Sequence, residues 1–124
     1  KEVTYHLRFS REWTVRLGDG TDESKQKMQR AIMDLWSYTG ELFDASKTEQ
    51  AMQQQGIAPD IAALKPEWEK IIAETLQEAT LTYPISLSGG WHQSGGKKGI
   101  HTEYFGSILA EMQYLQKSYP GCEW

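Results

Sequence analysis

Histidines and carboxylates are the residues of this chain that could hold a redox metal. A di-iron or di-manganese site in a helical bundle needs a Glu from one helix and a Glu-x-x-His from the next, because residues i and i+3 share one helical face. The chain has three histidines, His6, His92 and His101. The residues three positions before them are Val3, Gly89 and Lys98. No Glu-x-x-His is therefore present, and we expect this chain to bind no metal and to supply no catalytic residue.

Glu2, Asp34 and Ser37 come nearest to a degenerate version of such a site. If the first two helices form an antiparallel pair, Glu2 lies near the level of Asp34 and Ser37. Those two residues have the i,i+3 spacing, but a serine stands where an imidazole is needed. Glu2 and His6 are four apart, which allows chelation and also allows a plain hydrogen-bonded pair. The alternative is that Glu2 and Asp34 are partly exposed acids, since buried carboxylates would need a cation.

The segment from Gly95 to Gly99 could contact an anion. Its glycines can bring backbone N–H groups close to a phosphate, Lys97 and Lys98 add positive charge, and a helix begins near His101. The segment lacks the spacing and the Lys-Ser/Thr ending of a P-loop. Contact with coenzyme A or with acidic residues of a partner is one interpretation, and a solvated loop is the other.

The five tryptophans fall into two groups. Trp13, Trp36 and Trp68 lie on or near apolar helical stripes, where core packing is the expected role. Trp91 in a Gly-rich segment and Trp124 at the end are better placed to anchor a partner. The candidate residues for coenzyme A or partner contact are Lys97, Lys98, His101, Trp91 and Trp124.

Apolar residues recur with a helical period along most of the chain. Helices are predicted over 1–17, from Thr21 through Phe43, over 46–55, from Pro66 through Ala79, and from His101 or Thr102 to Tyr119. Gly18 and Gly20 are expected to end the first helix in a left-handed conformation. Residues 84–99 are predicted to contain no regular element. The sequence therefore predicts one all-α domain, a bundle of four long helices and one short helix.

Composition excludes several classes of protein. The net charge of −4 gives no reason to expect a nucleic acid or an anionic membrane as the main partner. No apolar run approaches the ~20 residues that span a bilayer. Cys122 is the single cysteine, so no internal disulfide is possible, and a reducing cytoplasm is the expected compartment.

Five segments carry a resemblance to a known family. They are 5–13 (YHLRFSREW), 16–22 (RLGDGTD), 78–81 (EATL), 95–103 (GGKKGIHTE) and 109–116 (LAEMQYLQ). In this order they resemble the C subunits (PaaC) of bacterial 1,2-phenylacetyl-CoA epoxidases, over essentially all 124 residues and in the C-terminal half of that ferritin-like protein.

The resemblance implies a role in aerobic phenylacetate catabolism. The complexes of this family epoxidise the aromatic ring of phenylacetyl-CoA, and their di-iron centre lies in the sister subunit PaaA. The resemblance implies that the C subunit is the structural partner of PaaA and lacks a working metal site. A bridging subunit, PaaB, and a reductase, PaaE, complete the system. A degenerate metal oxygenase and an acyl-CoA-contacting surface remain the alternatives.

The start of the sequence favours a piece of a longer protein. Lys1 is not a Met, and the first helix is amphipathic from its first turn without an N-cap residue. Half a ferritin-like bundle cannot close its own core.

We therefore predict that the 124-residue chain self-associates, because apolar helix faces left open by the absent half need a cover. Size-exclusion chromatography with light scattering measures this directly. A stable monomer across the accessible concentration range would contradict the prediction.

Overall fold

The structure, a computed structural model, describes residues 1–85 and 90–123. The α-helices in these ranges are α1 (Glu2–Gly18), α2 (Asp22–Leu35), α3 (Lys47–Gln54), α4 (Lys65–Glu78), α5 (Tyr104–Met112) and α6 (Tyr114–Ser118). Short 3-10 turns occupy Trp36–Tyr38, Gly40–Phe43, Ala62–Leu64 and Gly96–Lys98. These ranges contain no strand, which confirms the predicted all-α class and fits part of a ferritin-like bundle. The chain divides into two compact units, Lys1–Ser94 and Gly95–Trp124.

α1 and α2 form a hairpin whose turn is held by side-chain caps. Thr21 Oγ1 accepts a hydrogen bond from the Ser24 amide at 3.2 Å, so the predicted N-cap is confirmed. The Ser24 hydroxyl donates to the Leu17 carbonyl at 2.8 Å. This bond ties the end of α1 to the first turn of α2.

Gly18, the last residue of α1, is glycine for a different reason from the one predicted. The positive-φ glycines of the described residues are Gly56, Gly95, Gly99 and Gly121, so neither glycine of the hairpin turn is left-handed. A Cβ on Gly18 would lie 2.4 Å from the Ala79 carbonyl oxygen and 2.9 Å from Leu81 Cδ1. Gly18 is therefore required because the backbone that follows α4 packs directly on the end of α1.

The core of residues 1–94 lies at this contact. Among the residues that the structure describes, the buried hydrophobic residues are Leu76, Ala79 and Leu81, and Pro84 is fully buried. Partly buried hydrophobic residues pack against them: Val15, Met28, Ile32, Ile72 and Tyr83. The core is small for a unit of this length, so much of the apolar surface of the helices is left uncovered.

Residues 79–84, here called the strap, cross from the end of α4 to the hairpin. The Gln29 side chain bonds the backbone of Thr82 twice: Nε2 donates to the carbonyl at 3.0 Å, and Oε1 accepts from the amide at 2.7 Å. The Thr80 hydroxyl donates to the Gly18 carbonyl at 3.2 Å. Thr80 has a φ of +56°, an unfavourable conformation for a β-branched residue. The strap thus contacts both helices of the hairpin.

α2 ends earlier than predicted. The apolar period continues to Phe43, but the α-helix stops at Leu35 and two 3-10 turns follow. The amide and the hydroxyl of Thr39 both donate to the Trp36 carbonyl, at 3.0 and 2.8 Å. Because this carbonyl is taken by a residue three positions on, the chain winds more tightly than an α-helix.

The predicted boundaries of α3 and α4 are confirmed. Ser46 and Glu49 form a reciprocal capping box at the start of α3. At its end, Gly56 is left-handed, and its amide donates to Gln53 while the Ile57 amide donates to Met52, as in a Schellman motif. α4 carries its proline in the first turn, as predicted.

The single last helix predicted from the sequence is instead two helices in the second unit. α5 begins at Tyr104 and not at His101 or Thr102, and Gln113 separates it from α6. Gln113 carries backbone angles outside the α region, with φ −99° and ψ 5°. The residues around it include no Gly or Pro, so the sequence holds no signal of this break.

The segment 84–99 is less irregular than predicted. Residues 86–89 of this segment lie outside the described residues. Its end contains the 3-10 turn Gly96–Lys98, because left-handed Gly95 and Gly99 bracket the turn and let it close. No helix of the described residues is both long and apolar enough to cross a membrane.

We predict that Gly18→Ala lowers the free energy of unfolding by about 1–3 kcal/mol, since the added methyl group meets backbone and not a flexible side chain. Urea unfolding followed by circular dichroism measures the change. Gly106→Ala is the matched control: a Cβ there meets nothing within 4 Å. This control should be neutral or stabilising by about 0.5–1 kcal/mol, as expected in a helix interior. Equal stability of Gly18→Ala and the wild type would contradict the role of the contact.

Candidate functional site

The residues weighed as a degenerate metal site do not come together. Glu2, His6 and Asp34 are exposed, and within residues 1–85 and 90–123 no three His, Cys, Asp or Glu side chains are grouped to hold a metal ion. The Glu2 and His6 side chains make no hydrogen bond to each other in this part of the chain; the His6 ring packs edge-on against Tyr5 at 5.7 Å. Of the two arrangements that the spacing allows, the hydrogen-bonded pair is thus not formed.

Lys97 and Lys98 are exposed on the 3-10 turn of the second unit. The Lys98 and Ile100 amides both donate to the Gly95 carbonyl at 2.9 Å, and the Gly99 amide donates to Gly96 at 3.2 Å. These backbone donors are used within the turn, so they do not form the anion cradle that the glycines suggest.

His101 lies ahead of α5, where its exposed ring packs on Phe105 with the ring centroids 4.1 Å apart. Glu103 is the N-cap of α5 and makes no capping hydrogen bond through its side chain. The Phe105 amide also donates to the Thr102 carbonyl at 3.1 Å, so a backbone bond and a ring contact both lie at the start of α5.

Trp91 is 75% exposed, in agreement with a role as a surface anchor. It borders an open cavity of about 370 Å³ in the first unit, together with Trp36, Trp68, Phe43 and His92. Trp124, the other predicted anchor, lies outside the described residues.

The cavity wall contains a hydrogen-bonded histidine–aspartate pair, His92 and Asp44, that the sequence did not predict. His92 Nε2 lies 2.8 Å from Asp44 Oδ2, and the Gln93 amide donates to the Ser37 carbonyl at 2.9 Å. A Cβ on Gly40 would lie 2.4 Å from the His92 ring, so glycine makes room for the imidazole. The two residues of the pair are far apart in the sequence and share no motif. The pair fastens residues 92–93 to the turns that follow α2.

Two of the three tryptophans predicted to be core residues do pack together. Trp36 and Trp68 have ring centroids 5.9 Å apart, Tyr83 meets Trp36 edge-on at 5.0 Å, and Phe43 meets Trp68 at 5.3 Å. Edge-to-face and tilted contacts at these distances are favourable. Trp13 is the exception, because it remains 45% exposed on α1.

The large hydrophobic side chains of α1 are exposed. Its hydrophobic residues that keep a third or more of their surface free are Val3, Tyr5, Leu7, Phe9, Trp13 and Leu17. α1 instead uses Gly18, Val15 and an ion pair from Arg11 to Glu78 of α4 to contact the rest of the unit. The contacts of this helix with the rest of the unit are thus made by residues other than its aromatic ones, and Tyr5, Phe9 and Trp13 lie on the other side of the helix.

An apolar groove is a second uncovered surface. The groove has a volume of about 280 Å³ and runs between α2 and α4, bordered by one residue of α1. Its lining residues include Thr14, Met28, Ile32, Leu35, Ile72 and Leu76. An open apolar groove and an exposed apolar stripe on one small unit are typical of a protein that binds other helices.

The fold and these surfaces define the class: an all-helical protein with uncovered apolar helix faces. The family model described as "Phenylacetic acid catabolic protein" matches residues 1–124, and the chain belongs to this family. Among curated proteins, the chain is similar to the C subunit of the 1,2-phenylacetyl-CoA epoxidase of Escherichia coli (strain K12). The two are 52% identical over 124 residues, which is 100% of this chain and 49% of that relative. The chain therefore spans about half the length of this relative, and the predicted family resemblance is confirmed.

Proposed function

We propose that this chain is the C-terminal half of a non-catalytic, ferritin-like component of a cytoplasmic, multicomponent di-iron 1,2-phenylacetyl-CoA epoxidase. Its role is to stabilise the catalytic A subunit, which holds the iron, in a complex with a B subunit and a reductase. The 52% identity to the C subunit of the Escherichia coli (strain K12) epoxidase, over all of the chain's residues, carries the proposal.

The uncovered helix faces support a structural role. An exposed stripe on α1 and an open groove between α2 and α4 leave more apolar surface than a small monomeric unit normally exposes. Burial of such surface against a partner contributes roughly 25 cal/mol per Å². This favours a protein whose stability depends on assembly.

The spacing of the potential ligands supports the division of labour with the A subunit. Val3 and Lys98 stand three positions before His6 and His101, where a di-iron half-site needs a carboxylate. Neither valine nor lysine can supply a carboxylate ligand at these positions.

We expect the full-length protein that carries this chain to bind no stoichiometric iron and to have no epoxidase activity alone. Its addition should raise the activity and the thermal stability of the A subunit, because it covers apolar helix faces. Elemental analysis, activity assays and thermal melts measure these effects.

The A subunit purified in parallel is the control, with about two irons expected per chain. About two tightly bound irons in the protein tested, or an A subunit equally active and stable without it, would overturn the proposal.

A second candidate function is an acyl-CoA contact through Lys97 and Lys98. The specific observation in its favour is that both lysines are exposed on a turn held in place by left-handed Gly95 and Gly99. Two ammonium groups next to each other suit a phosphate group.

If these lysines contact coenzyme A, Lys97→Ala with Lys98→Ala should weaken phenylacetyl-CoA binding to the assembled complex by about tenfold. The matched control, Lys25→Ala with Lys27→Ala, changes the same charge on α2. Isothermal titration measures the affinity. Unchanged affinity of the Lys97→Ala, Lys98→Ala variant would contradict this function. Equal losses of affinity in this variant and in the control would show that only the net charge of the protein matters, and would also contradict it.

A further inference from the structure

The open cavity of the first unit is built by several separate stretches of this chain. The turns after α2, the first turns of α4, the strap and residues 90–92 all contribute to it. Its volume of about 370 Å³ falls within the ~300–1,000 Å³ of small-molecule sites. Its lining mixes aromatic and charged side chains, so it differs from the exposed stripe on α1, which is one face of one helix. We call it the aromatic cavity.

Aromatic rings line the aromatic cavity. Trp36, Phe43, Trp68 and Tyr83 contact one another with ring centroids 5.0–5.9 Å apart, and Trp91 stands at the edge. The four packed rings hold each other in place, so a ligand that binds them orders few side chains. The face of each ring carries partial negative charge. A cation is therefore a better occupant of this cavity than an anion.

The charged residues at the aromatic cavity favour a cation as well. Among the described residues that border it, Asp44 and Glu69 are two carboxylates against one ammonium, that of Lys65. Lys65 Nζ lies 3.9 Å from Glu69 Oε1, and both side chains are about half exposed. Such an ion pair is weak in water. Glu69 can therefore exchange the lysine for the cation of a ligand at little cost.

The His92–Asp44 pair adds to the acceptors of the cavity wall. An ionised carboxylate only accepts, so His92 Nε2 carries the proton in the 2.8 Å bond to Asp44 Oδ2. Nδ1 of the neutral ring is then an acceptor. The bond from the Gln93 amide to the Ser37 carbonyl and the missing side chain of Gly40 hold the imidazole in this position. A ligand that donates hydrogen bonds matches such a wall.

We propose that the aromatic cavity binds a small organic ammonium ion that carries a single ring. The ring of the ligand lies against the tryptophans, and its ammonium group faces Asp44 and Glu69. The inference goes beyond the proposed function and does not rest on it, because all of these residues belong to one unit of this chain.

The test measures the affinity of the full-length protein for three probes of one size and different charge. They are benzylammonium, benzyl alcohol and benzoate, each titrated at pH 7 and followed by saturation-transfer-difference NMR. Benzylammonium should bind about tenfold more tightly than benzyl alcohol, because the ring faces and the carboxylates both attract its charge. Benzoate should bind most weakly.

Variants of the cavity lining locate the bound probe. Asp44→Asn and Glu69→Gln should each weaken benzylammonium binding by about threefold and leave benzyl alcohol unaffected, because they remove only charge. Trp91→Leu should weaken benzylammonium by about threefold through the lost ring face. The matched controls are Glu74→Gln on the same helix as Glu69, and Trp13→Leu on α1, neither of which borders the cavity. Both controls should bind benzylammonium as the wild type does.

Four results would overturn the proposal. Benzyl alcohol or benzoate that binds as tightly as benzylammonium contradicts the cation chemistry. Unchanged affinity in Glu69→Gln and Trp91→Leu places the ligand elsewhere, and equal losses in the controls reduce the effect to net charge. No saturable binding of benzylammonium shows that the cavity is closed, as it would be if the other half of the polypeptide filled it. None of these results bears on the effect of the protein on the A subunit, which tests the proposed function alone.

Discussion

The close approach of the end of α1 to the strap is the contact on which the described structure of the first unit depends. The absence of a side chain on Gly18 lets the Ala79 carbonyl lie where a Cβ would otherwise be. Thr80 then accepts a left-handed conformation and bonds the same glycine, and Gln29 holds Thr82 by both its donor and its acceptor. The strain at one residue is offset by three hydrogen bonds, each worth about 1 kcal/mol. These polar and apolar contacts between the strap and the hairpin hold α1, α2 and α4 together.

The sequence predicted those parts of the fold that local interactions decide. Thr21, Ser46 with Glu49, and Gly56 each end or begin a helix through bonds to residues at most six positions away. Such signals are complete within a short stretch of sequence. The end of α2 escaped prediction because the apolar period runs on through the 3-10 turns, which differ from an α-helix only in which carbonyl accepts the bond.

The candidate site was less predictable because its residues meet only in three dimensions. Asp44 and His92 are 48 positions apart, and no spacing rule connects them. The backbone amides that follow Lys97 looked available as an anion cradle, but the amides of Lys98, Gly99 and Ile100 donate within the turn itself. Of the tryptophans expected in the core, Trp13 on α1 is the one that the structure leaves 45% exposed. A helical period identifies an apolar face, but the same period serves a core and an interface, and only the positions of Gly18 and Arg11 show which side faces inward.

A helix with apolar residues on its outer face and small or charged residues on its inner face is costly for an isolated domain. Tyr5, Phe9 and Trp13 are about half exposed, so each forgoes roughly half of the ~1.5–3 kcal/mol that full burial of a large apolar side chain contributes. The internal contacts of α1 include a glycine and an exposed ion pair, which bury little area. α1 thus carries two faces of different chemistry, an inner face that packs on α2 and α4 and an aromatic face that the described residues leave half exposed to water.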